Sequence, residues 1–68
     1  MIKIATNNEI YLDGKATGYG VVQKQNGTQV YTMDAAADPV PMPEHTYALA
    51  DPKSRDQFEA DFRAAVGL

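Results

Sequence analysis

Apolar residues alternate with polar or small ones over the first twelve positions of the chain, which is the two-residue period of a β-strand. Ile2 and Ile4 are spaced in this way, and so are Ile10 and Leu12. A three-residue loop at positions 6–8 would pair Ile4 with Ile10 and Ile2 with Leu12, which places all four side chains on one face. A two-residue loop at positions 7–8 would mix the faces, and a slip of one residue moves the apolar set to the wrong side of the sheet. We therefore predict a first hairpin with the three-residue loop.

The segment GVVQKQNGTQVYTM predicts a second hairpin, because Asn26-Gly27 lies between two runs of β-branched and aromatic residues. A tight two-residue turn at Asn26-Gly27 would place Gln25 opposite Thr28. A type I turn with a glycine bulge would instead place Lys24 opposite Thr28. The second register gives the cleaner apolar face and is preferred, although Asn-Gly by itself favours the first.

Prolines occupy alternate positions 39, 41 and 43 in ADPVPMPEHTYAL. They remove three backbone donors and push the residues before them towards extended geometry, so this segment is not a central strand. We expect a stiff, polyproline-like crossover instead. The HTYALA that follows, with Tyr47 and Leu49 on one side, is expected to return to the sheet as a short strand.

The last seventeen or so residues have the periodicity of an amphipathic helix, in which Phe58 and Phe62 belong to one apolar stripe that faces the sheet. Two starts are open, the capping-box pattern at positions 54–57 and the Asp51-Pro52 pair. Gly67 is the expected stop.

Together these elements predict one small α+β domain that spans residues 1–68, an antiparallel β-meander of four to five strands with one C-terminal helix packed on one face. A single helix covers only part of such a sheet, so the other face stays open to water or to a partner. The predicted core residues are Ile2, Ile4, Ile10, Leu12, Val21, Tyr31, Leu49, Phe58, Phe62 and Val66.

Composition narrows the classes of function. The 68 residues include no cysteine and only one histidine, so we expect neither a disulfide nor a metal site. The apolar run near the start is far too short for a signal peptide or a membrane span, and we expect a cytoplasmic protein with no membrane partner. A net charge of −3 argues against a nucleic-acid partner, which usually needs a basic face.

His45, together with Glu44 and Asp51, is the one group of residues that resembles acid–base machinery. A working pair needs fixed geometry in a desolvated pocket, which a chain of this size has little room to enclose. We therefore prefer the interpretation that His45 is a surface histidine at the entry to a strand, without a catalytic role. We expect no enzymatic activity, no catalytic residue and no cofactor.

Two features indicate binding to a protein. The four tyrosines lie in predicted strands at alternating parity, so they do not all face the helix, and tyrosine is favoured at interfaces. Positions 25–52 contain four acidic residues and no lysine or arginine, although a solvated acidic loop explains that pattern as well. The candidate partner-binding residues are Tyr11, Tyr19, Asp34, Asp38, Met42, Glu44 and His45.

The run IYLDGKATGYGVVQKQNGTQVYT, followed by MPEHTYALA and FEADF, resembles small uncharacterised proteins encoded by phages and prophages of proteobacteria. The resemblance covers most of the chain, contains no catalytic motif and transfers no functional residue. It implies a small accessory protein that binds or inhibits a host protein.

Three functions follow as hypotheses. The first is a non-enzymatic module that binds another protein. The second is a homo-oligomer that uses the open sheet face or an edge strand. The third is an acidic mimic of nucleic acid, for which a charge of −3 is small.

Overall fold

The computed structural model describes residues 1–34 and 39–68, and within these ranges five strands precede one helix. The strands form one antiparallel sheet in which each is hydrogen-bonded to its neighbours in chain order. The predicted α+β meander with a C-terminal helix is confirmed. The elements are β1 (Ile2–Ile4), β2 (Glu9–Leu12), β3 (Lys15–Lys24), β4 (Gly27–Thr32), β5 (Pro39–Val40) and α1 (Pro52–Val66).

The first hairpin has the predicted register, with Ile2 opposite Leu12 and Ile4 opposite Ile10. Its loop is closed by the amide of Asn8, which donates to the Ala5 carbonyl oxygen at 2.9 Å. Asn8 has a φ of 69°, a left-handed conformation that asparagine tolerates better than most residues. The three-residue loop is confirmed.

The second hairpin adopts neither of the two registers considered from the sequence. Its turn lies at positions 25–26, so that Lys24 pairs with Gly27 and Val21 pairs with Val30. Neither turn residue has a positive φ, whereas Gly27, the first residue of β4, has a φ of 138°. Gly27 therefore lies at the start of β4 and not at the centre of a mirror-image turn. Both predicted registers are wrong.

This register decides which residues form the core. The fully or nearly buried apolar residues are Ile2, Ile10, Leu12, Val21, Val30, Tyr47, Phe58 and Phe62. Ile4, Leu49 and Val66 are half-buried and pack against this cluster. The prediction of Tyr31 as a core residue is wrong, because Tyr31 follows Val30 in β4 and therefore points to the opposite face of the sheet.

That opposite face is called the open face below, and it carries Tyr11, Gly20, Tyr31 and Met33. A Cβ atom on Gly20 would lie 2.7 Å from both the Tyr31 ring and the Met33 sulfur. The two side chains therefore lie directly over the backbone of β3, and they bury Gly20 beneath them.

Helix α1 packs its aromatic residues on the other face of the sheet, as predicted. Phe58 and Phe62 have no exposed surface. The Phe62 ring meets Tyr19 of β3 edge-on, with ring centroids 5.5 Å apart. The helix begins at Pro52 after an extended Asp51, and Gly67 ends it in the left-handed conformation. The start at the Asp51-Pro52 pair is thus confirmed, and the start at positions 54–57 is wrong.

The fifth strand differs from the prediction. Residues 45–50 form no strand, and Pro39–Val40 pairs with β4 through Val40 opposite Val30 and Pro39 opposite Tyr31. Proline is tolerated at this place because β5 is an edge strand, where a missing amide hydrogen need not break a ladder bond. The expected return of HTYALA to the sheet is therefore wrong, and part of the predicted crossover is itself the edge strand.

Candidate functional site

A cleft of about 230 Å³ separates the tip of the β3–β4 hairpin from the proline-rich segment that follows β4. We call it the hairpin–proline cleft. Three of the sequence-predicted residues line it together, namely Met42, Glu44 and His45. The hairpin supplies residues that the sequence analysis did not single out, and these are Lys24, Asn26, Gly27, Thr28 and Gln29.

The cleft depends on a close approach between His45 and the first residue of β4. A Cβ atom on Gly27 would lie 2.6 Å from both the carbonyl oxygen and the Nε2 atom of His45. The neighbouring amide of Thr28 donates to that same carbonyl oxygen at 2.9 Å. Because Gly27 also has a φ of 138°, glycine is required here both for its backbone conformation and for the space it leaves.

Tyr47 fixes the segment that contains Glu44 and His45. Its side chain is completely buried, and its ring meets Phe58 edge-on, with ring centroids 5.0 Å apart. The hydroxyl donates to Asp61 Oδ2 at 2.8 Å and accepts a hydrogen bond from the Glu44 amide at 3.2 Å. One side chain therefore joins the helix to the segment that lines the cleft.

The backbone of Tyr47 is bonded to the sheet by side chains. Its amide donates to Thr28 Oγ1 at 3.1 Å, and its carbonyl oxygen accepts from Gln23 Nε2 at 2.5 Å. These bonds replace the strand ladder that the sequence analysis expected at this point. The segment is thus held to β3, β4 and α1 without belonging to any strand or helix.

Burial raises the pKa of the Tyr47 hydroxyl to about 12, with a further rise from its bond to Asp61 and an opposing effect of the Glu44 amide. The phenol accordingly stays protonated near neutral pH, which the bond to Asp61 requires because a phenolate has no proton to donate. This hydroxyl has a structural role.

The other sequence-predicted residues lie elsewhere. Tyr19 is on the helix face, where its ring packs against Phe62. Tyr11 is on the open face, opposite Lys3 of β1. Asp34 is exposed beyond the end of β4, and Asp38 lies outside the described residues.

No protein-family model, curated protein or solved structure matches the chain. The resemblance to phage and prophage proteins therefore stays a prediction. Within residues 1–34 and 39–68, no group of three or more histidine, aspartate or glutamate side chains is placed to hold a metal ion. In the same two ranges, no helix has the length and apolar character needed to cross a membrane.

The substitution Gly27→Ala is expected to lower the free energy of unfolding by about 2 kcal/mol or more, because it adds a strained φ to a clash with His45. The exposed neighbour Asn26 is a matched control, since Asn26→Ala should change stability by no more than about 0.5 kcal/mol. Urea unfolding followed by circular dichroism measures both. Equal stabilities of the two variants would contradict the close approach.

The raised pKa of Tyr47 predicts a loss of stability at high pH. Below pH 10 the tyrosine is protonated in both states, but between about pH 10 and 12 it ionises only in the unfolded chain. The unfolded state then binds fewer protons than the folded state. The free energy of unfolding therefore falls, by an amount on the order of 2 kcal/mol, as pH rises through this interval.

The variant Tyr47→Phe isolates this effect, because every other titrating group is common to both proteins. The difference in unfolding free energy between the native chain and the variant should shrink as pH rises from 10 to 12. Denaturant unfolding at several pH values measures it. A difference that stays constant over this interval would show that Tyr47 titrates alike in the folded and unfolded states.

Proposed function

We propose that this chain is a small, non-enzymatic protein-binding module whose contact surface is the hairpin–proline cleft. The observation that carries the proposal is that Glu44 and His45 are exposed while their backbone is fixed by bonds to the Tyr47 hydroxyl and the Thr28 amide. A surface that is ordered before binding loses less conformational entropy when the partner arrives.

The size of the cleft favours a protein over a small molecule. Pockets that enclose drug-sized ligands occupy roughly 300–1,000 Å³, whereas this cleft measures about 230 Å³ and its rim is exposed. A standard protein interface covers roughly 800 Å² on each partner. That area is less than a fifth of the 4515 Å² surface of this chain, so the chain is large enough to form such an interface. In the proposal the cleft forms its centre and the surrounding residues form its rim.

The residues of the cleft suit recognition of a protein surface. Lys24 and Glu44 offer opposite charges on its two sides, while Met42 supplies a half-buried apolar side chain between exposed neighbours. Methionine adapts its shape to irregular contacts, and it is common where a surface meets a partner. Specificity would then come from the two charges and affinity from the apolar contact.

Catalysis is not part of the proposal. Glu44 and His45 are both exposed in an open cleft, and general acid–base chemistry works best in a site from which water is excluded. The resemblance to phage and prophage proteins suggests a host protein as the partner.

Charge reversal in the cleft tests this proposal. The native chain, Glu44→Lys and the control Asp56→Lys are immobilised in turn and exposed to a lysate of the source organism, and bound proteins are quantified by mass spectrometry. Asp56 is exposed on α1 and undergoes the same change in charge. We expect a protein that the native chain and the control retain equally, and that Glu44→Lys retains about tenfold less. Equal retention by all three baits, or no retained protein, would contradict the proposal.

The open face supports a second candidate, self-association. Tyr31 and Met33 lie over Gly20 there, and 38% of the Met33 surface is exposed. In the described part of the chain, α1 packs only on the other face. A second copy could cover these residues in a two-fold symmetric contact.

Light scattering at high micromolar concentration separates the two candidates. Self-association predicts a mass near twice the 7.4 kDa of the chain, and Met33→Lys should return the mass to that of a monomer because it places a charge in the contact. A native chain that remains monomeric at this concentration would eliminate the second candidate.

A further inference from the structure

The outer edge of β1 has backbone groups that point away from the sheet. The amide of Ala5 donates to the Glu9 carbonyl oxygen, and the amide of Asp13 donates to the Met1 carbonyl oxygen, each at 2.9 Å. Residues of an antiparallel ladder alternate between hydrogen-bonded and non-hydrogen-bonded pairs. Positions 1, 3 and 5 therefore face β2, and the amide and carbonyl groups of Ile2 and Ile4 face outwards. Such an edge is a template for another strand.

A groove runs beside this edge. Its volume is about 280 Å³, and its lining residues are Ile2, Lys3, Ile4, Leu49 and Arg55. The Nε atom of Arg55 donates to the Leu49 carbonyl oxygen at 3.0 Å, which holds the guanidinium group at the wall of the groove. An extended segment bonded to β1 would thus meet an apolar side chain, Leu49, and a fixed cation.

The groove is locally positive although the chain as a whole is negative. Lys3 and Arg55 are both exposed, and among the described residues neither makes an ion pair. The lining contains no acidic residue. Lys3 lies opposite Tyr11 and so on the open face. Acidic side chains at alternate positions of an incoming segment would therefore meet Lys3 there, while the side chains between them would face Leu49 and Arg55.

A second copy of the chain fits this edge poorly. The antiparallel register that uses both Ile2 and Ile4 would place Lys3 directly opposite the Lys3 of the other copy. These residues would form a non-hydrogen-bonded pair, in which Cα atoms are about 4.5 Å apart and side chains are closest. Like charges in that position are destabilising.

We infer that the outer edge of β1 binds an extended acidic segment of a partner protein as a sixth strand. Backbone bonds to Ile2 and Ile4 hold the segment, its acidic side chains lie beside Lys3 on the open face, and its apolar side chains contact Leu49 on the helix face. This is the strand-addition mode of peptide recognition, in which main-chain bonds give affinity and alternate side chains give specificity. The site is separate from the hairpin–proline cleft, so it stands or fails independently of the proposed function.

Titration with a defined peptide tests the inference by nuclear magnetic resonance of the ¹⁵N-labelled chain. The probe is a capped nine-residue peptide of alternating glutamate and valine. One control peptide has lysine in place of every glutamate. A second keeps the sequence of the probe but has N-methyl groups on the valine amides, which are the donors that would face Ile2 and Ile4.

We expect saturable shifts at the amides of Ile2, Ile4, Leu49 and Arg55 with the probe, and binding at least about tenfold weaker with either control peptide. Lys3→Glu should weaken binding of the probe several-fold, because the glutamates of the probe lie on the same face as Lys3. Lys15→Glu, an equal charge change at an exposed residue outside the groove, should not.

Three results would overturn the inference. The first is the absence of saturable shifts at millimolar peptide. The second is equal binding of the probe and the lysine peptide. The third is a set of shifts confined to other residues, such as Glu44 and His45 of the hairpin–proline cleft. The spectrum of each variant also reports whether it is folded, and the two control peptides test the inference on the native chain alone.

Discussion

The burial of Tyr47 is the interaction on which the rest of this structure depends. The residues between β5 and α1 belong to neither the sheet nor the helix, and so their backbone needs other partners. Several of these bonds involve Tyr47. Its hydroxyl accepts from the Glu44 amide and donates to Asp61, and its own amide donates to Thr28. The ring meanwhile completes the core against Phe58. In a chain of 68 residues, which buries a small fraction of its surface compared with larger domains, one such side chain is a large part of the core.

The bonds of Tyr47 also explain why the segment that lines the hairpin–proline cleft has a defined conformation. Prolines stiffen the segment before Tyr47, and the approach of His45 to Gly27 fixes its position against the hairpin. The exposed side chains near His45 then project from a backbone with little freedom, which is the property that our proposed binding function requires. The edge of β1 lies at the other end of the sheet order, beyond β2 and β3. The two surfaces could therefore be occupied separately.

The sequence predicted the parts of the fold that local pattern determines. The first hairpin and the stripe of Phe58 and Phe62 follow from periods of two and of about four residues, which are read within a few positions. Met42, Glu44 and His45 line one cleft because they are neighbours in the chain. Each of these inferences needs only residues that are close in sequence.

The errors concern contacts between residues far apart in sequence. The register of the second hairpin places a positive φ on Gly27, where His45 approaches from 18 positions away, and Asn-Gly alone indicates a tight turn. The alternation around Tyr47 predicts a strand, yet its amide bonds to a side chain of β4. Neither partner could be identified from the local pattern.

Amide hydrogen exchange tests the role of Tyr47 most directly. The amides of Thr28, Glu44 and Tyr47 donate to His45, to the Tyr47 hydroxyl and to Thr28 Oγ1, respectively. If these bonds hold the segment as a unit with the core, the amides of Glu44 and Tyr47 exchange within about tenfold of the slow amides of β3 and β4. Exchange of Glu44 and Tyr47 at the rate of an unstructured peptide, while the strands remain protected, would contradict this account.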